Sequence, residues 1–490
     1  MQFQFGPLMP DAGELAGAGL MTAENVLPIA GDGYGPMKGL SVPATSTALA
    51  AVPKGMISLV KRDGTWKVYG ATASAWYELG TDYAWAAALA SGFSLTSGDH
   101  WSFCHFGAQL LGTNTTDGLY AYSVEAGGAA SSITAAQKPR FIFSCANVLI
   151  ALDCLDKNGS RDNRLIRNSA INDHTNWTTK GADYQPLESG GALVCGADVK
   201  GNTAVIFQER AISVMQFGNA PGGALYSLYK VNDQIGSVGA RSMVPVNGVV
   251  YFLATDGFCR YRVGGDVERI GAGRIDNWFM GLVDQANLDE VQGSIDPLNK
   301  MIWWRWPRGS ASTDGIMNDL IGYSWQFDRW VTSDVQTSYL TRIATPGYTL
   351  DAMDAFGTLD DIAIPLDDRF WQGGQPVFGA LDGSYKFGVF SGSNLAPEWT
   401  TATRNNPVTG LVGSATPVTD AATVSLELGV KDELSDAITW KTGVSKQASG
   451  RCPLRGRGKN IAFRLTASAA QSWTYARGVD HIQGSTGGPR

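Results

Sequence analysis

The residues whose types could do chemistry are few and scattered along this chain. The four histidines, His100, His105, His174 and His481, are dispersed, and although His100 and His105 lie close together no metal-ligand spacing can be written from them. Strand or surface positions explain each. In CLDKNGSRDN, Asp156, Asn158 and Gly159 fit positions three, five and six of a calcium loop, but Cys154 and Leu165 then occupy positions one and twelve, where carboxylates are required. That run reads as a polar connecting loop. The pairs Asp360-Asp361 and Asp367-Asp368 could include the carboxylates of a glycosidase, but a solvated loop is by far the preferred reading. No GxxxxGK[ST] occurs, and GDGYG at Gly31 to Gly35 neither follows a strand nor opens a helix, so it reads as a turn. No catalytic residue, metal ligand or cofactor-binding residue is assigned, no cofactor is expected, and the expectation is that the protein is not an enzyme.

Two clusters are better suited to binding than to catalysis. Arg451, Arg455, Arg457 and Lys459 in GRCPLRGRGKN form the densest positive patch of an acidic chain. They are a candidate contact for DNA phosphates or an acidic partner, and a solvated hairpin loop is the plainer account. Trp303, Trp304 and Trp306 crowd one strand among fifteen tryptophans. Exposed, they would stack on sugars; in a repeat fold they wedge between sheets, the reading preferred here. Trp303 and Trp304 point to opposite faces of a strand, so one of them is a candidate contact with a neighbouring blade or subunit.

The elements that carry these residues follow from composition and repetition. Sixty glycines and twenty prolines spread over 490 residues supply the turns that many short strands need. A hydrophobic fraction of 44% with 17% charged residues excludes a disordered chain. A net charge of −7 argues against a protein whose task is to grip phosphates, though not against one that DNA passes. Cys104, Cys145, Cys154, Cys195, Cys259 and Cys452 form no C-x-x-C pair and interrupt apolar runs, as buried thiols of a reducing cytoplasm would. No basic leader and no stretch of ~20 apolar residues is present, so a soluble, unprocessed chain without a membrane span is expected.

One unit recurs: an alternating strand, a tight polar turn and a second strand rich in aromatics. In VVYFLATDGFCRYRV, Val250, Phe252 and Ala254 share one face and Val249, Tyr251 and Leu253 the other, around an Asp256-Gly257 turn. Both faces are apolar, which predicts a sandwiched strand. Further copies turn at Asp63-Gly64, Asp117-Gly118, Glu209-Arg210, Asp328-Arg329 and Asp382-Gly383, with a weaker one in VLIALDCLDKNG. Their spacing, near fifty residues, is that of one four-stranded sheet with its connections. The expected fold is an all-β propeller of about six blades, with five to eight allowed. Residues 1–45 are expected as an extended arm, 46–395 as the propeller and 396–490 as a small C-terminal β domain or a decorated last blade. The long interval from Asp256 to Asp328 should hold an insertion or an extra blade.

Three segments carry a family resemblance: ENVLPIAGDGYGPMKGL near the start, AVIFQERAISVMQFGNAPGGALY with the VNDQIGSVGARSMVPVNGVVYFLATDGFCRY that follows it, and FRLTASAAQSWTYARGVDHIQGSTGGPR at the end. In their order along the chain they resemble the tail hub or nozzle proteins of short-tailed bacteriophages, including packaged-DNA stabilisation proteins. The resemblance implies a homohexameric virion ring, assembled in the host cytoplasm below the portal and head-to-tail adaptor. It would contact tail fibre, spike or needle proteins, seal packaged double-stranded DNA and pass it at ejection. The competing expectation is a host-glycan-binding or glycan-cleaving propeller, because Asp63-Gly64-Thr65-Trp66 is similar in part to the Asp-box turn of sialidases.

Overall fold

The computed structural model of the chain describes all residues except 1, 14–18, 31–32, 219–223, 310–314, 345–375, 406–410 and 484–490. Among the described residues, seven small antiparallel sheets follow one another from residue 55 to residue 389, each built from consecutive strands. Their innermost strands are Gly55–Val60, Ser102–Phe106, Phe141–Cys145, Leu193–Lys200, Val244–Val246, Gln292–Asp296 and Tyr339–Ala344. Each touches the next, and the seventh touches the first. The fold is therefore a closed seven-bladed β-propeller. The seven polar turns of the sequence fall one to a blade. Five of them join the second and third strands, whereas Asp63-Gly64 joins the first and second of blade 1 and Asp328 the third and fourth of blade 6.

That offset explains part of the long Asp256–Asp328 interval. The rest is an insertion between blades 5 and 6, the helix Asp276–Leu282 and the 3-10 turn Gln285–Glu290, rather than an extra blade. KMIWWRWP is the second strand of blade 6, Met301–Trp306.

Apolar residues alternate on both faces of the strands, so each blade buries one face against each neighbour. The predicted two-faced strand does this: Val250, Phe252 and Ala254 pack with Val205 and Phe207 of blade 4, while Val249, Tyr251 and Leu253 join the core of blade 6. Trp303 and Trp304 likewise diverge. Trp304 lies 4.8 Å from Phe258 of blade 5 and donates its indole N–H to the Ser242 carbonyl at 2.8 Å, whereas Trp303 stacks toward Phe378 of blade 7 at 6.5 Å. All six cysteines are buried and unpaired. Gly112 marks a close approach between blades, because a Cβ there would stand 2.4 Å from the Trp76 ring of blade 1.

The two ends of the chain are woven into this ring. Blade 7 has only three strands of its own. Its outer edge is completed by the N-terminal segment, where Ser41 N–H donates to the Val389 carbonyl at 2.8 Å, Val389 N–H returns to Ser41 at 3.0 Å and Leu49 N–H reaches Tyr385 at 3.0 Å. Residues 1–45 are thus strands within other sheets as well as an arm. Leu20–Glu24 pairs in parallel with Arg329–Ser333, the outer strand of blade 6, and on its other side with Glu398–Thr401. Asn460–Ala467 and Val424–Lys431 continue that sheet to eleven strands in total. A second sheet holds Gln2–Gln4, Val26–Ile29, Gly33–Pro36, Leu411–Thr419, Gly456–Arg457 and Ala476–Gln483. The C-terminal β domain therefore shares strands with the N-terminus and extends blade 6, not the last blade. Phe3 on Phe463 (5.0 Å) and Phe5 on Trp399 (5.4 Å) fill the space between its sheets.

The closing segment gives a direct test. Ser41→Pro removes the N–H that blade 7 uses at its edge, and it should lower unfolding stability in urea by about 1–3 kcal/mol. Ala44→Pro, at an exposed turn position, should cost far less; equal losses would contradict closure by this segment.

Candidate functional site

The basic cluster occupies an edge of the C-terminal domain. From Arg451 to Asn460 burial alternates strictly: Cys452, Leu454, Gly456, Gly458 and Asn460 face inward, and Arg451, Pro453, Arg455, Arg457 and Lys459 face outward. Cys452 anchors the segment through two backbone hydrogen bonds with Ala415, at 2.7 and 3.0 Å. Leu411 and Val412 pair with Arg457 and Gly456, at the end of the sheet's order. All four cations thus lie on one solvent face of a pinned edge. Alternate residues of a strand stand about 6.6 Å apart, close to the span of two phosphates along one strand of duplex DNA.

The axis of the propeller holds a charged constellation that sequence spacing does not reveal. Its inner strands enclose a channel of about 870 Å³, lined among others by Arg241, Gln292, Tyr339, His105 and Asp198. One end is crossed by side chains. His100, leading into blade 2, meets the Glu290 carboxylate ahead of blade 6 at 3.1 Å, and Arg241, ahead of blade 5, pairs with the same carboxylate at 2.9 Å. Arg305, 2% exposed, donates to the Gln292 side-chain oxygen at 2.7 Å and the Gly315 carbonyl at 2.8 Å. Gln292 in turn donates to the Leu340 carbonyl of blade 7 at 2.7 Å. These bonds join blades 2, 5, 6 and 7 across the axis.

Burial sets the charges here. Desolvation, helped by the Arg241 charge, pushes His100 from its ordinary 6.5 down to about 4, so the ring is neutral and Nε2–H donates to Glu290. Burial alone would raise Glu290, but the His100 hydrogen bond and the Arg241 charge outweigh it and hold the carboxyl well below its usual range. Burial, followed by the Arg241 charge, lowers Arg305 to about 9.

The remaining sequence candidates separate. His105 lies at the far end of its strand from His100 and lines another pocket, of about 540 Å³, with Arg62, Asn147, Asn172, His174 and Asp198. His481 sits in the strand Ala476–Gln483. Among the described residues no three His, Cys, Asp or Glu side chains converge as metal ligands. Asp156 accepts the N–H groups of Asn158 and Ser160, both at 2.8 Å, which caps its own loop. Asp63 likewise accepts the Thr65 N–H at 2.9 Å. Asp360-Asp361 and Asp367-Asp368 lie outside the described residues. Every described tryptophan is buried or half-buried. No helix among the described residues is long and apolar enough to cross a membrane.

No family model and no curated protein matches the chain. Similar solved structures include U3-55K, with 9% identity and a TM-score of 0.35 over 62% of this chain and 88% of that one. The β-propeller domain of Cps50 (Swd1) from Myceliophteria thermophila matches with 8% identity and a TM-score of 0.39 over 61% and 95%. YCF48 bound to D1 peptide matches with 11% identity and a TM-score of 0.31 over 63% and 86%. These likenesses concern fold alone. The propeller assignment rests on the closed ring of inner strands.

The channel bridge makes a pH prediction. Because folded His100 binds fewer protons than unfolded histidine between about pH 6.5 and 4, its contribution falls as pH drops through that window; Glu290, held low, loses its contribution in the same direction below the ordinary carboxylate range. His100→Gln keeps a donor for Glu290 without the titration. Its melting temperature should therefore change less than that of the wild type between pH 6.5 and 5, and an unchanged slope would contradict the bridge.

Proposed function

We propose that this chain is a structural subunit of a tail hub or nozzle ring in the virion of a short-tailed bacteriophage. In this reading six copies, assembled in the host cytoplasm, bind the head-to-tail adaptor on one side and fibre, spike or needle proteins on the other. The ring seals packaged double-stranded DNA and passes it at ejection, and the chain acts without a cofactor and not as an enzyme. The reading rests on the ordered segments at the two ends and centre of the sequence. One structural observation supports it above others: the described segments near both ends, Gln2–Gln4 and Ala476–Gln483 among them, are built into a single body in which a C-terminal sandwich continues a propeller blade. A part that carries load between neighbouring rings needs that continuity, since separate domains joined by a linker would move independently.

In this reading DNA would run between copies on the ring axis, because the propeller's own channel is crossed by His100, Glu290 and Arg241. The outward basic edge would be the part that meets DNA or an acidic partner. An acidic chain with one confined basic strip suits a duplex that must be held and then released, because attraction grows with the number of phosphates neutralised.

Virions assembled without the protein should package DNA and then lose it, and full retention of the genome would contradict the proposal. Replacing Arg455, Arg457 and Lys459 by Glu should cost the fold no more than about 0.5 kcal/mol per substitution, as these side chains are exposed, yet lower the fraction of particles that keep their genome. Unchanged retention in that variant would remove the basic edge from the function while leaving the ring proposal open to the first test.

A further inference from the structure

The outer strand of a propeller blade has a free edge that any extended chain could pair with, and short or covered edges are the usual protection. Blades 6 and 7 are covered by the N-terminal segment. The outer strands of blades 1, 2, 3 and 5 are short: Ala90–Ser91, Ser131–Ser132, Asp183–Pro186 and Val267–Arg269. Blade 4 differs. Its outer strand, Tyr226–Asn232, has seven residues, keeps a regular register from Tyr226 to Lys230, and has no described strand on its far side.

The hydrogen-bond phase of that edge can be read directly. Gly218 N–H donates to the Leu225 carbonyl at 3.2 Å, and this pair continues the register in which Phe217 faces Tyr226. Bonded and non-bonded pairs alternate along an antiparallel ladder, so Ser227 and Tyr229 bond inward, while the N–H and C=O groups of Tyr226, Leu228 and Lys230 point outward. Among the described residues none of these three N–H groups meets a backbone carbonyl. Their side chains share one face, on which Tyr226 and Leu228 extend the apolar cluster between blades 3 and 4. Lys230, the only charged residue of the strand, reaches the Ser189 hydroxyl.

The same chain carries the complement. Thr439–Trp440 lies at the edge of the eleven-stranded sheet. Lys441 N–H donates to the Leu428 carbonyl at 2.9 Å, and the register of Gly429 with Trp440 and Val430 with Thr439 turns Ile438 and Trp440 outward. Exposed Asp436 spends Oδ2 on the Glu433 N–H at 3.0 Å and keeps Oδ1 open. Laid antiparallel on blade 4, this segment sets Asp436 opposite Lys230, Ile438 opposite Leu228 and Trp440 opposite Tyr226. Outward groups then meet outward groups, apolar side chains meet apolar ones, and the one cation meets an acid, as favourable cross-strand pairs require.

We propose that successive copies of this chain join by edge-to-edge strand pairing, with Tyr226–Lys230 of one copy against Asp436–Trp440 of the next. The two edges are different patches, so the contact is head-to-tail and propagates into a ring when its rotation closes. It rests on the ring reading given above and supplies the subunit contact that this reading needs.

The test is sedimentation of the full-length protein over a rising concentration series. Wild-type association beyond a dimer is expected. Lys230→Glu or Asp436→Lys alone puts like charges opposite each other and should weaken association roughly fivefold or more, whereas the two changes together reverse the pair and should restore it. Leu228→Pro removes an outward N–H without touching the ladder inside blade 4, so it should weaken association while the melting temperature stays near that of the wild type. A wild-type chain that remains monomeric or stops at a dimer would overturn the contact. Association that Lys230→Glu, Asp436→Lys and Leu228→Pro all leave unchanged would overturn it too, and in that case the ring itself still stands on its test of genome retention.

Discussion

A ring of blades has one structural obligation: its last sheet must be tied to the first, or every interface in it can open in sequence. In this chain the tie is the pairing of the segment around Ser41 with Val389, which gives blade 7 its outer strand from the opposite end of the sequence. Contacts that follow from it close the loop, such as Leu49 and Val68 packing with Leu381 and Phe387 between blades 7 and 1. Entropy makes this tie costly to form, because ends more than 300 residues apart must meet. Burial of apolar faces all around the ring offsets that cost.

The same N-terminal segment does a second job on its way to blade 7. By lying between Arg329–Ser333 and Glu398–Thr401, Leu20–Glu24 converts the edge of blade 6 into the middle of a large sheet and abolishes an exposed strand edge. The strand Met301–Trp306 anchors this junction from inside. Trp304 and Trp330 stack at 6.0 Å, and Trp306 meets Phe279 of the inserted helix at 5.1 Å. One cluster therefore runs from blade 5 through blade 6 into the C-terminal sandwich.

Much of this was legible from residue pattern. Period-two alternation on both faces of Val249–Ala254 announced a sandwiched strand, and the polar turns announced blades, because both signals are local; the count expected from them was about six, within a range of five to eight, and the ring has seven. The positions of Asp63 and Asp328 within their blades were not legible, since a turn residue reports that two strands meet and not which two. Pairing of residues 20–24 with 329–333 and 398–401 left no local mark for the same reason. The basic edge was visible as a charge cluster, and its strict outward alternation from Arg451 to Lys459 became evident only with the fold. The bridge of His100, Arg241, Glu290 and Arg305 was invisible, because its members come from separate blades and each looks ordinary in its own segment.

Hydrogen exchange of the intact protein, followed by mass spectrometry, tests whether propeller and C-terminal sandwich form one body. Amides in Leu20–Glu24, Arg329–Ser333 and Asn460–Ala467 lie in one continuous sheet. They should open together with a common free energy, as a single cooperative unit does. Protection of Arg329–Ser333 alongside exchange orders of magnitude faster in Leu20–Glu24 and Asn460–Ala467 would show the sandwich opening by itself and contradict the account.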